Sequence, residues 1–191
     1  MVPRLIGFLT EAELDFEDLK DPFGITYYPE FRGRDGSRTP LPWRAGAGNA
    51  GFSAAEKPWL PVPHEHHLLA VDVQERAPAS TLNAWKRFLA WRKAHPALVR
   101  GEIVPVRLPD PFLGFERVLG EERILVVFNL SDQPARLGLE PFGAARPLSG
   151  HGFGAALRRS EALLPPYGAF FAALETATVA PAGRELENVA G

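Results

Sequence analysis

The residues best equipped for chemistry sit together between Phe31 and Trp43, in FRGRDGSRTPLPW. Arg34, Asp35 and Arg38 are charges of both signs on a stretch that suits neither a helix nor a regular strand. Pro40 and Pro42 lack the N–H that either ladder requires, and they restrict the residues before them. Gly33 and Gly36 admit backbone angles that other residues resist. The expected product is a fixed loop holding these side chains at set angles, the kind of segment on which binding residues concentrate when a rigid scaffold supports it. The plainer alternative is a surface loop with a local Arg–Asp pair, which contributes little to stability. A second candidate is PHEHH, where His64, His66 and His67 crowd together. Imidazoles at such spacing can ligate a metal, but there is no HExxH frame and no third ligand group, and Pro63 opposes a helix that would align them. The reading is hydrogen-bonded or solvated loop histidines, with no metal and no cofactor. A third set is aromatic: Phe23, Tyr27, Tyr28 and Phe31, interleaved with Pro22, Gly24 and Pro29. These rings suit stacking on a sugar and equally suit pinning an irregular loop.

The elements that must position these groups are unevenly spread. The 191-residue chain carries a net charge of −2, with both signs mixed along it and no basic run of the kind that binds nucleic acid. The absence of cysteine removes disulfides, thiol catalysis and cysteine-based zinc sites and fits a reducing compartment. No apolar run is long enough to span a bilayer, and Met1 to Leu9 lacks the pattern of a signal peptide. The expectation is a soluble, cytoplasmic protein with neither nucleic acid nor membrane as partner. Prolines and glycines crowd the first third, so Pro22 to Pro63 reads as a long irregular segment, which is uncommon alone in a compact domain. Thr10 to Lys20 has a capping-box pattern, Thr10 with Glu13, and predicts a short helix. Ser80 predicts the N-cap of an amphipathic helix reaching His95, with Leu82, Trp85, Phe88 and Leu89 on its apolar face and Pro96 ending it. From Gly101 onward the pattern turns to short strands: Gly101–Leu108, Phe112–Leu119, Arg123–Leu130, Ala135–Leu139 and Ala169–Leu174, with Gly120-Glu121-Glu122 as a hairpin turn. These predict an antiparallel sandwich followed by a frayed tail, Val179 to Gly191.

Taken in order, DPFGITYYPEFRGRDGSRTPLPW, NAGFS, PWLPV, the helix ending in WRKAHPAL and the run VVFNLS resemble the C-terminal part of an α-glucosidase of glycoside hydrolase family 13. The resemblance runs from about Leu9 to Leu174. It implies an α+β fragment: the end of a (β/α)8 barrel, made of an irregular loop segment and the final barrel helix, followed by an antiparallel β-sandwich domain. It implies residues 1–97 as the barrel tail, 98–176 as the β domain and 177–191 as a flexible tail. The opening MVPRLIGF lacks the strand and Gln-Gly-Glu-Glu-like turn that lead into this region in the family, which implies a truncated or alternatively started reading frame.

Similar enzymes are retaining glycosidases and need a carboxylate pair about 5–5.5 Å apart. In the family these groups precede this region, so the resemblance assigns no catalytic residue here and implies that the chain alone does not hydrolyse. It implies that Arg34, the first arginine of the GRD motif, contacts the non-reducing-end glucose, its planar guanidinium suiting adjacent hydroxyls and a nearby carboxylate. Asp35 and Arg38 would hold the loop, and Trp43 would anchor it in the core. The implied partners are small α-glucosides of the maltose or isomaltose type. The alternatives are a relative of sucrose isomerase, trehalose synthase or amylosucrase, and a non-catalytic carbohydrate-binding or interaction module.

Overall fold

A computed structural model describes residues 12–175. The Thr10 cap, the MVPRLIGF opening and the tail from Val179 lie outside the described residues. The chain divides into two compact units, with the boundary between Lys86 and Arg87.

The described residues of the first unit are held by short turns rather than by a sheet. Where a helix was expected before Lys20, the described residues form only a 3-10 turn, Phe16–Asp18. At its end the N–H groups of Lys20 and Asp21 donate to the Asp35 carboxylate, at 2.5 and 2.6 Å, so the chain turns there into a tertiary contact. Helix α1, Pro22–Thr26, starts with proline at its first position, where no N–H is needed, and Asp21 caps it by accepting the Phe23 N–H at 3.0 Å. Further 3-10 turns occur at Asp35–Ser37, Gly48–Gly51 and His64–Leu69. The last corrects the expectation that Pro63 would exclude a helix from PHEHH; Pro63 stands before its first residue, where its fixed φ does no harm. Helix α2, Val71–Arg76, carries no clear apolar period and has no signature in the sequence. Its first N–H groups are capped by a distant segment: Val71 donates to the Pro42 carbonyl at 3.0 Å and Asp72 to that of Trp43 at 3.1 Å. Ala12, Leu14, Leu19 and Leu60 form a small buried cluster.

Helix α3, Thr81–Lys93, begins as expected, the Ser80 hydroxyl accepting the Asn83 N–H at 3.2 Å. Pro96 both stops it and opens α4, Pro96–Arg100. In the second unit the strands are β1 (Glu102–Val106), β2 (Phe112–Leu119), β3 (Glu122–Asn129), β4 (Ala135–Gly138), β5 (Ala145–Pro147), β6 (Ala156–Arg158), β7 (Glu161–Leu164) and β8 (Ala169–Leu174). They form two antiparallel sheets, ordered β1-β2-β3-β8-β5 and β4-β7-β6. Period-two alternation sorts each central strand onto two cores. Leu125 and Val127 of β3, with Phe170, Ala172 and Leu174 of β8, pack with Leu137, Leu139, Ala162 and Leu164. Ile124 and Val126, with Ala169 and Phe171, pack instead with Ala97, Leu98, Phe88 and Trp91. Being covered on both faces explains the unbroken apolar run ILVV. On α3, Phe88 of the expected stripe packs together with Trp91, while Trp85 and Leu89 stand exposed. No helix among the described residues is long and apolar enough to cross a membrane.

Candidate functional site

The site is built on Asp21, a residue that the sequence alone did not single out. Its carboxylate is buried and reaches three ways. Oδ1 accepts the Phe23 N–H; Oδ2 accepts the Arg34 N–H at 3.1 Å and lies 3.5 Å from Arg34 Nε. The Phe23 N–H foremost, then the Arg34 N–H and guanidinium, hold the Asp21 carboxyl below its ordinary range against the opposing effect of burial. The signal available in the sequence was Asp-Pro at a helix start. Two glycines permit the approach. A Cβ on Gly24 would stand 2.5 Å from the Arg32 carbonyl oxygen, and Gly33 adopts φ +72 with Asp21 Cβ 3.0 Å from where its own Cβ would be. The glycines at 24 and 33 thus have a steric cause.

Asp35, 2 % exposed, accepts the N–H groups of Lys20 and Asp21 and so ties the GRD segment to the chain before α1. Arg38 donates its backbone N–H to the Asp35 carbonyl at 2.9 Å, and its side chain is exposed. The Trp43 indole does not anchor the loop in a core, as was expected of it; it is half exposed, and the anchoring there is done by backbone. Its N–H donates to the Ala50 carbonyl at 2.8 Å, and its own carbonyl caps α2. The histidines join the same framework. His66 is buried with Nδ1 3.4 Å from the Thr39 hydroxyl, and His67 Nδ1 meets the Ala45 carbonyl at 2.7 Å. Among the described residues no group of three or more metal-ligating side chains is placed to hold a metal ion. The aromatics of DPFGITYYPEF pack on one another, Phe23 against Tyr27 at 4.7 Å and against Phe31 at 5.7 Å, while remaining largely exposed.

Arg34 stands apart from this framework in one respect. Its backbone N–H and Nε are fixed by Asp21, yet its side chain is 70 % exposed. An exposed guanidinium on a held base suits a planar oxygen ligand or a pair of adjacent hydroxyls. Both oxygens of Asp21 and Oδ2 of Asp35 accept backbone N–H groups.

This architecture, loop-rich segment, helix and two-sheet sandwich, is one that known proteins share. Residues 7–101 match the family described as alpha amylase, catalytic domain, and residues 106–171 the one described as maltogenic amylase, C-terminal domain. The chain belongs to the α-amylase family, glycoside hydrolase family 13. Within it the chain is 50 % identical over 166 residues to a probable α-glucosidase of Rhizobium meliloti, covering 87 % of this chain and 30 % of that one. It is 31 % identical over 115 residues to an oligo-1,6-glucosidase of Parageobacillus thermoglucosidasius, covering 60 % of this chain and 20 % of the relative. Among solved structures, the α-glucosyl transfer enzyme XgtA superposes with a TM-score of 0.76 at 42 % identity, covering 87 % of this chain and 31 % of that one. An isomaltulose synthase from Klebsiella sp. LX3 does so with 0.57 at 30 % identity, covering 74 % and 26 %. The chain thus spans no more than about a third of the length of these relatives. Its fold is that of the end of the family's (β/α)8 barrel, an irregular segment and the last barrel helix, followed by the antiparallel sandwich.

Proposed function

We propose that this chain supplies the C-terminal part of a retaining α-glucosidase that releases terminal non-reducing α-linked glucose from small oligosaccharides. In this reading residues 1–97 complete the barrel and residues 98–176 form the β domain. Arg34 is the substrate contact, and Asp21 and Asp35 hold it in place. The observation that carries the reading is the exposed side chain of Arg34 in GRDGSRTPLPW, held by the buried Asp21 carboxylate through the backbone N–H at 3.1 Å and Nε at 3.5 Å. The 50 % identity to a probable α-glucosidase supports it. The nucleophile and the acid/base belong to parts of the parent enzyme other than this chain, and without them the double displacement has no route.

The test replaces the matched stretch of the Rhizobium meliloti relative with residues 12–175 of this chain. The chimera is expected to hydrolyse p-nitrophenyl α-glucoside. Arg34→Ala is expected to lower kcat/KM by about 10- to 100-fold, the loss of hydrogen bonds from a charged donor. The 191-residue chain alone is expected to show only the background rate. A chimera indifferent to Arg34→Ala, or a chain that turns over by itself, defeats the reading. Transfer rather than hydrolysis is the second reading, supported by the 42 % identity to an α-glucosyl transfer enzyme. Product analysis with maltose separates them: free glucose alone for hydrolysis, new glucosides for transfer.

A further inference from the structure

Trp43 is a large side chain on a rigid backbone, yet 48 % of it stays exposed. The rigidity has a visible origin. Both Trp43 and Arg44 donate their N–H groups to the Ala50 carbonyl, at 2.8 and 2.9 Å, and the Ala45 N–H donates to the Asp72 carboxylate at 3.1 Å. The Ala50 carbonyl is brought there by successive left-handed residues, Asn49, Ala50 and Gly51, at φ 47, 49 and 71. Two of these carry a Cβ and resist that conformation, a cost found where surrounding structure must hold a functional geometry.

Trp43 lines an open surface concavity of about 530 Å³ together with Arg44, Gly51, Val71, Asp72 and Glu75. Its rim carries both signs. Asp72 pairs with Arg76 at 3.2 Å and Glu75 with Lys86 at 2.8 Å, so each carboxylate keeps lone pairs for further donors. An anion would meet Asp72 and Glu75, and a cation would meet Arg44. A neutral ring with one C–H face and a hydroxylated edge suits the indole and the mixed rim together.

We infer that this concavity binds one hexose unit of a neutral α-glucoside, at a position that does not include Arg34. The inference rests on the α-glucoside reading above for the class of sugar, and on the indole and its rim for the place. The experiment follows the indole N–H signals of the full chain, labelled with ¹⁵N-tryptophan, during titration with maltose, isomaltose or the open-chain polyol sorbitol. The Trp43 signal is assigned from Trp43→Phe. It is expected to shift saturably at about millimolar maltose, to ignore sorbitol, and to keep its response in Arg34→Ala. Arg44→Ala and Glu75→Gln, exposed positions that spare the fold, are expected to weaken binding by about tenfold. A Trp43 signal that stays still with both disaccharides overturns the inference. So does one that moves equally with sorbitol, or one that loses its response in Arg34→Ala. A chimera active through Arg34 beside a stationary Trp43 signal rejects this site alone; an inactive chimera beside a sugar-responsive Trp43 rejects the earlier reading instead.

Discussion

Asp35 shows how much one carboxylate decides. It is buried and satisfies two backbone N–H groups from a segment 15 and 14 residues away. Asp35→Ala would leave both donors without a partner, at about 2–4 kcal/mol in total. Asp35→Asn keeps an accepting oxygen and is expected to recover part of that loss. Urea unfolding of the three proteins checks the order, and equal midpoints would show that the contact carries no stability. His151 makes a second case, in the β unit. It is 8 % exposed, wedged between Trp91 and Phe171, with ring centroids at 5.1 and 4.9 Å. Nε2–H donates to the Leu148 carbonyl at 2.9 Å and Nδ1 accepts the Phe153 N–H at 3.1 Å, so the neutral ring is satisfied and a second proton would face a donor. Burial lowers its pKa from the ordinary 6.5, against the opposing pull of the Leu148 carbonyl. The folded state then binds fewer protons than the unfolded one below that value. Stability from this residue is complete above pH 6.5 and is lost as pH falls through the folded-state pKa. Melting temperatures between pH 7.5 and 5 are expected to fall more steeply in the parent than in His151→Gln; parallel curves would refute this. At this scale the sequence was legible where a motif is local. GRDGSRTPLPW announced a rigid loop, but its partner Asp21 lies 13 residues upstream and could be found only through the turn that folds it back. The exposure of the Trp43 indole was likewise invisible, because burial is a property of neighbours.

At the scale of elements, legibility followed the strength of the period. β2 and β8 stand where they were expected, and β3 within a residue or so; β2 and β3 run for eight residues each, and β8 carries paired phenylalanines in an unbroken apolar run. β5, β6 and β7 span only three or four residues each and left none. Helix α2 was missed for a different reason: its N-terminus is completed by carbonyls of Pro42 and Trp43, a tertiary cap with no local signature. Within VVFNLS the apolar residues announce the strand, while Asn129 does separate work at its end. Its side chain is 1 % exposed. Nδ2 donates to the carbonyls of Gln133 and Pro165 at 2.7 and 3.0 Å, and Oδ1 accepts from the Ser131 N–H and hydroxyl at 3.0 and 2.8 Å. It thereby stitches the turn after β3 to the approach to β8. Asn129→Ala removes this stitching at both ends and is expected to cost about 2–4 kcal/mol. Hydrogen exchange locates the damage: protection should fall first at residues 129–133 and 165–168. A uniform loss across the β unit, with those turns no worse than the rest, would contradict the assignment.

At the scale of the whole molecule, the balance between charge and exposed apolar surface becomes the deciding quantity. The net charge is −2 and the pI is 6.2, so electrostatic repulsion between copies is weak near neutral pH. Each unit meanwhile presents large apolar side chains to solvent. Trp59 and Leu68 are each 76 % exposed in the first unit, and Ile103 and Leu113 are 61 % and 51 % exposed in the β unit. Isolated exposed residues of this kind are ordinary, but their number here, set against so little charge, favours contact between copies. The chain is therefore expected to self-associate reversibly, most strongly near pH 6.2 and less at pH 8.5, where the net charge is more negative. Replacing Trp59 and Leu68 together by glutamate removes apolar surface and deepens the negative charge at once. Because both side chains bury little, thermal stability should change by no more than about 0.5 kcal/mol per site. Sedimentation velocity across a range of concentrations should then show the parent growing in mean mass while the double variant stays monomeric. Association that is equal in both proteins at pH 6.2, or that strengthens toward pH 8.5, would place its cause elsewhere than in exposed apolar surface under weak repulsion.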